Sequence, residues 1–126
     1  MKLKLTAFLF IGVTLMSCSK HIVGTWNIQK YETTTAAKQG IALTNIGTMT
    51  FKKNGSGEKN ISYTIFETKK EDKSSFKWTQ SENYITIESD GSEFSKTWIV
   101  VKDENKFQKW QSTDGNNQVQ VLELVK

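Results

Sequence analysis

Thr48-Met49-Thr50-Phe51-Lys52-Lys53-Asn54-Gly55-Ser56-Gly57-Glu58-Lys59-Asn60-Ile61-Ser62-Tyr63-Thr64-Ile65 is the stretch that decides the fold class. Met49 and Phe51 alternate with threonines in its first half, and Ile61, Tyr63 and Ile65 alternate with polar residues in its second. A period of two belongs to a strand with one buried face, because successive side chains point to opposite sides of the backbone. Between the two runs stands Asn54-Gly55-Ser56-Gly57, residue types that accept the positive φ of a tight hairpin. The stretch therefore reads as two antiparallel strands and their turn.

The same unit repeats on both sides. Alternation marks Trp26/Ile28, Phe76/Trp78 and Ile85/Ile87, and strand-like segments run from Phe94 to Val101, Lys106 to Gln111 and Gln118 to Val125. Asp90-Gly91-Ser92, Asp103-Glu104-Asn105 and Asp114-Gly115-Asn116-Asn117 supply turns, no proline interrupts them, and no segment keeps a 3.6-residue apolar period. Eight antiparallel strands in simple succession remove their exposed edges by closing into a barrel, whereas a two-sheet sandwich prefers crossovers with longer connections. The expectation is an all-β, eight-stranded antiparallel up-and-down barrel over residues 22–126. One connection is long, Glu32 to Asn45, and is expected as a flap or a single short helical turn over the open end. Phe107 and Trp110 differ in parity, as do Val119/Val121 and Leu122/Leu124; a β-bulge or two covered faces would account for it.

Ahead of the barrel lies a different kind of sequence. Lys2 and Lys4 precede an eleven-residue apolar run, Leu5 to Leu15, the length of a secretory signal core and too short to span a bilayer, which takes about 20 residues. Leu15-Met16-Ser17-Cys18 follows directly and resembles the lipobox of bacterial lipoproteins. The resemblance implies a signal peptide over residues 1–17, cleavage before Cys18, acylation of the Cys18 thiol, and a lipidated tether over residues 18–21. Cys18 is the one cysteine of the chain, so no disulfide framework exists and the core must hold the domain together. Removing 17 of 126 residues leaves 109, enough for one domain with one core. Acyl chains contribute about 0.8 kcal/mol per buried CH₂, which makes a two- or three-chain anchor stable. Ser19 stands where an aspartate would signal inner-membrane retention, so the outer membrane is the expected location, on either face.

Charge narrows the partners. The formal net charge of +4 falls to +2 once Lys2 and Lys4 leave, and all seventeen basic residues are lysines. Arginine is the residue of bidentate grips on phosphate and guanine, and its absence from a chain with scattered lysines argues against nucleic acid.

His21-Ile22-Val23-Gly24-Thr25-Trp26-Asn27-Ile28 resembles the opening of lipocalin-like proteins, whose first strand carries a Gly-Xaa-Trp motif, here Gly24 and Trp26. Phe51-Lys52-Lys53-Asn54-Gly55-Ser56-Gly57 resembles the second strand and glycine turn of small lipocalin-like lipoproteins from Bacteroidetes. The resemblance implies the barrel and a binding function. It also implies an arginine packed over the tryptophan; with no arginine here, either a lysine substitutes or the contact is absent.

Catalytic and metal-ligating arrangements are not legible. His21, the single histidine, sits three residues past the anchor, a poor place for a general base. Ser56 lies in a hairpin turn, not a nucleophile elbow. Glu88, Asp90 and Glu93 flank a turn glycine, where a solvated charged loop is the ordinary outcome, and Asp114-Gly115-Asn116 lacks the remaining ligands of a calcium loop. No enzyme, metal or cofactor is expected.

The aromatic residues leave three readings. They line a pocket for a small apolar or amphipathic ligand, they fill the barrel, or a filled barrel presents its loops to a protein partner as a binding or inhibitory module. In the ligand reading the walls come from Met49, Phe51, Tyr63, Ile65, Trp78, Ile85, Ile87 and Trp98. An exposed connection bearing Ile41 and Leu43 would favour a protein partner.

Overall fold

The computed structural model describes residues 22–34, 40–65, 67–113 and 118–126. Cys18, His21, the signal segment and Asp114-Gly115-Asn116-Asn117 lie outside the described residues. The strands are β1 (Gly24–Thr34), β2 (Gly40–Phe51), β3 (Ser56–Ile65), β4 (Thr68–Asp72), β5 (Ser75–Ser81), β6 (Tyr84–Glu88), β7 (Thr97–Asp103), β8 (Phe107–Thr113) and β9 (Val119–Val125). Every pairing is antiparallel, and β1 pairs with both β2 and β9. Because β2 also pairs with β3, the sheet closes on itself.

The barrel has eight staves although nine strands are named. β4 and β5 share one stave: Ile61 to Ile65 of β3 pair with β4, Ser56 to Glu58 pair with β5, and the register runs unbroken through the Lys73-Ser74 corner. The Lys59 amide donates to the Ser74 carbonyl there. Thr68–Asp72 escaped the sequence reading because its side chains are exposed or half-exposed, so it carries no apolar alternation.

The β2–β3 turn forms as its residues require. Asn54 Oδ1 accepts hydrogen bonds from the Ser56 amide and hydroxyl at 3.0 and 2.6 Å, and Gly55 takes φ of +89°. Gly47 (φ +144°) has a second kind of necessity, for a Cβ there would lie 2.0 Å from the Asn60 carbonyl oxygen. β2 bends onto β3 at that point.

Three expectations need correction. The Glu32 to Asn45 connection is neither a flap nor a helical turn over its described part. β1 runs on to Thr34 and β2 starts at Gly40, pairing Lys30 to Thr34 with Thr44 to Gly40. β7 starts at Thr97, and Phe94 sits buried in the preceding loop. The parity conflict in β8 and β9 needs no bulge, since their register is continuous. Gln108, Trp110 and Ser112 face inward with Gln120, Leu122 and Leu124, while the outward valines Val119, Val121 and Val125 are half-buried. The bulges lie elsewhere, at Gln29 of β1 against β9, at Asn45 and Ile46 of β2 against β1, and at Val101 of β7.

Candidate functional site

The two ends of the barrel differ chemically. The lower end, where β1 begins and β9 finishes, is apolar and closed. Trp26 is fully buried, its indole N–H donates to the Ile22 carbonyl at 2.8 Å, and the Lys126 ammonium sits 5.1 Å from its ring centroid. Phe51 meets Phe76, Trp78 and Trp110 at 5.2, 5.5 and 5.8 Å, and Trp110 meets Trp98 at 6.3 Å. The Trp78 indole donates to the Lys52 and Ser56 carbonyls, fastening the ring to the β2–β3 turn. Met49, Ile61, Ile85, Trp98 and Trp110 are 0 % exposed, so none of their surface is left for a water molecule to touch, from outside or from a void within. This half is filled.

Above it lies a polar tier. The Gln120 amide donates to the Tyr31 hydroxyl at 3.1 Å, and its carbonyl accepts from Lys96, whose ammonium stands 5.5 Å over the Trp98 ring. Tyr31 faces inward because of the Gln29 bulge, which puts the next inward side chain three residues after Ile28 instead of two. Its ring lies 5.1 Å from Phe94 and 6.1 Å from Tyr63. Burial raises the pKa of the Tyr31 hydroxyl, with the negative charge of Glu93 and the neighbouring Tyr63 adding to it, so the phenol is a neutral donor and acceptor. Tyr63 is raised for the same first reason, then by Glu93 and Asp72.

Beside that tier a charged clasp joins three segments. Lys59 is 3 % exposed; its ammonium lies 3.1 Å from Asp72 Oδ1, donates to Ser89 Oγ at 2.7 Å, and stands over the Phe76 ring. Ser74 and Ser92 hydroxyls donate to Asp72 at 2.9 and 2.6 Å. Burial alone would push the Asp72 carboxyl up. The bonds from Ser92, Lys59 and Ser74, with the Lys59 charge, outweigh it and hold the carboxyl below its ordinary value. The clasp thereby ties β3, the β4–β5 corner and the 89–96 loop into one wall. Lys59 donates to Asp72 as well as to Ser89, which makes it the shared centre of the clasp.

The clasp frames a cleft of about 210 Å³ at the upper end, between β3–β4 and the 89–96 loop. Half-buried Tyr63 is its apolar part, with the fully buried Phe94 ring packed behind, Lys70, Glu71, Asp90 and Glu93 are its charged rim, and Asp72 and Ser92 its polar wall. Of the eight candidate wall residues, Tyr63 alone lines this cleft. Ile65 is half-buried near the tip of β3, and Met49, Phe51, Trp78, Ile85, Ile87 and Trp98 are buried in the core. Asp90 and Glu93 come together at the cleft and Glu88 does not. Among the described residues no three histidine, cysteine, aspartate or glutamate side chains gather as a metal site. Sequence reasoning missed Tyr31, Phe94, Gln120 and the clasp. Lys59 left a signal, since it falls between inward Gly57 and Ile61 in the period-two pattern; Tyr31 left none.

The lipocalin-like domain family matches residues 22–109, from the segment before Gly24-Thr25-Trp26 into β8. The chain belongs to that family. Within this lipocalin-like domain, Lys126 occupies the place over Trp26 for which an arginine is absent. A redesigned β-barrel of known structure is similar at 18 % identity over 84 % of this chain and 91 % of that one, with a TM-score of 0.46. No curated protein matches the sequence.

Proposed function

We propose that this lipocalin-like protein is a non-enzymatic, lipid-anchored component of the cell envelope, placed in the outer membrane, that binds a small amphipathic ligand in its upper cleft. The observation that carries the ligand reading is the contrast between the filled lower half and the cleft walled by half-buried Tyr63, with Phe94 and Tyr31 buried behind it. About 210 Å³ is room for one substituted ring or a short chain, below the 300–1,000 Å³ of drug-sized pockets. The apolar part of the ligand packs against Tyr63 and its polar end meets the Asp72/Ser92 wall and the charged rim. Met49, Phe51, Trp78, Ile85, Ile87 and Trp98 are then packed core and Ile65 lies near the tip of β3, so Tyr63 is the one candidate wall residue that touches this ligand. The lipobox supports the anchor, and the family supports a binding role.

A titration of the purified protein with short fatty acids, quinones and small aromatic acids, followed by intrinsic fluorescence, tests the site. Saturable binding is expected, weakened about fivefold or more by Tyr63→Ala, the loss of about 1 kcal/mol of ring contact. The fully packed lower core favours one second reading, a protein-binding module that acts through its loops. No saturable small ligand, together with unchanged barrel spectra, would leave that reading standing.

A further inference from the structure

Among the described residues, the large apolar side chains that stand exposed lie together: Tyr84 on β6, and Ile99 and Val101 on β7, at 45, 41 and 52 % exposure. Tyr84 and Ile99 are direct cross-strand partners, and Val101 occupies the β7 bulge two residues closer to the lower end. The same outward row passes from Ile99 through Gln111 to half-buried Val121. Beside it the register sets Lys102 opposite Lys109, whose partner on its other side is Glu123 of β9. Exposed apolar residues scattered singly mean nothing. Gathered on one wall and bordered by paired lysines, they mark a contact surface.

What covers this wall follows from where the chain enters the barrel. Ile22 is buried at the lower end, where the Lys126 ammonium donates to the Val23 carbonyl and the Lys126 amide to the Lys106 carbonyl. Only Ser19, Lys20 and His21 separate Ile22 from Cys18. At no more than about 3.6 Å per residue, an acylated Cys18 keeps the lower end within roughly 14 Å of the bilayer. Val101 lies two residues from the lower end of β7, about 7 Å along the strand.

We propose that the outer wall of β6 and β7 is a membrane-contact surface, with Tyr84, Ile99 and Val101 in the headgroup region and Lys102 and Lys109 against anionic lipid. This rests on the reading of Cys18 as lipidated. The acyl chains hold the protein to the membrane; the wall fixes its orientation. Aromatic and lysine side chains are suited to that depth, since each has an apolar body and a polar tip. The upper cleft then faces away from the membrane, so its ligand arrives from the aqueous phase.

The test reconstitutes the full mature protein in vesicles of phosphatidylethanolamine and phosphatidylglycerol containing a lipid with a photoactivated crosslinker in its headgroup region. Adducts are mapped by mass spectrometry. They are expected to be several-fold more frequent on peptides covering 84–102 than on those covering 67–73, and to fall several-fold in Ile99→Ser and in Lys102→Glu/Lys109→Glu, with the far-ultraviolet spectrum unchanged. Adducts spread evenly over the barrel would overturn the proposal, as would protein–protein crosslinks confined to 84–102, which would assign the wall to a second copy. Intact mass reports the anchor separately. If Cys18 proves unmodified, coupling its thiol to a maleimide lipid restores the tether and the same adduct map decides the docking surface.

Discussion

At Trp26 three contacts meet: burial of the whole ring, the indole bond to Ile22, and the Lys126 ammonium over its face. The first is by far the largest, so Trp26→Ala is expected to cost about 3–5 kcal/mol in urea denaturation. Lys126→Met removes the cation alone and is expected to cost about 0.5–1 kcal/mol. The Lys59–Asp72 pair behaves differently, because neither charge can be removed without stranding the other. Asp72→Asn should cost roughly 3 kcal/mol, the low end for a broken buried pair, since Asp72 keeps some contact with water. Its pH dependence has a definite sign. The folded carboxyl lies below its unfolded value, so the stability it contributes is complete above about pH 4 and is lost as pH falls through the folded value. The acid limb of the stability profile should therefore flatten in Asp72→Asn.

Two strands carry the shape of the barrel, and both do it through single residues. The Gln29 bulge sends Tyr31 inward to Phe94, Tyr63 and Gln120. Deleting Gln29 should remove the bulge yet keep Tyr31 inward, now two residues after Ile28, so the cost measured by denaturation should stay well below the roughly 3 kcal/mol of a lost buried ring. Gly47 lets β2 pass against Asn60 of β3, so Gly47→Ala should cost at least about 2 kcal/mol from strain at positive φ and the clash with the carbonyl. Strand existence was legible wherever one face is buried, as in Phe76/Trp78 and Ile85/Ile87. It was not legible in Thr68–Asp72, nor in the extensions Lys30–Thr34 and Gly40–Thr44. Apart from Tyr31 and Leu43 their side chains stand outside the core, and backbone pairing holds them without an apolar stripe to announce it.

For the molecule as a whole, the proposed anchor and the barrel are separable. Cys18→Ser should move the protein from the membrane fraction to the soluble fraction while leaving its thermal unfolding unchanged, because the core formed by the described residues, Ile22 onward, closes among its own side chains. Period-two patterning and turn chemistry by themselves determined an all-β antiparallel barrel of eight staves. Those are local properties, set by which way consecutive side chains point and which residues accept positive φ. Leu15-Met16-Ser17-Cys18 likewise wrote the expected anchor into contiguous residues. The tertiary structure alone decided that one half is filled and the other opens into a cleft. That depends on how Phe51, Trp78, Trp98 and Trp110, from four separate strands, share one volume. It also alone decided the Lys59–Asp72–Ser92 clasp, whose members are far apart in sequence, and the inward turn of Tyr31, because a bulge shifts parity without leaving any mark on composition.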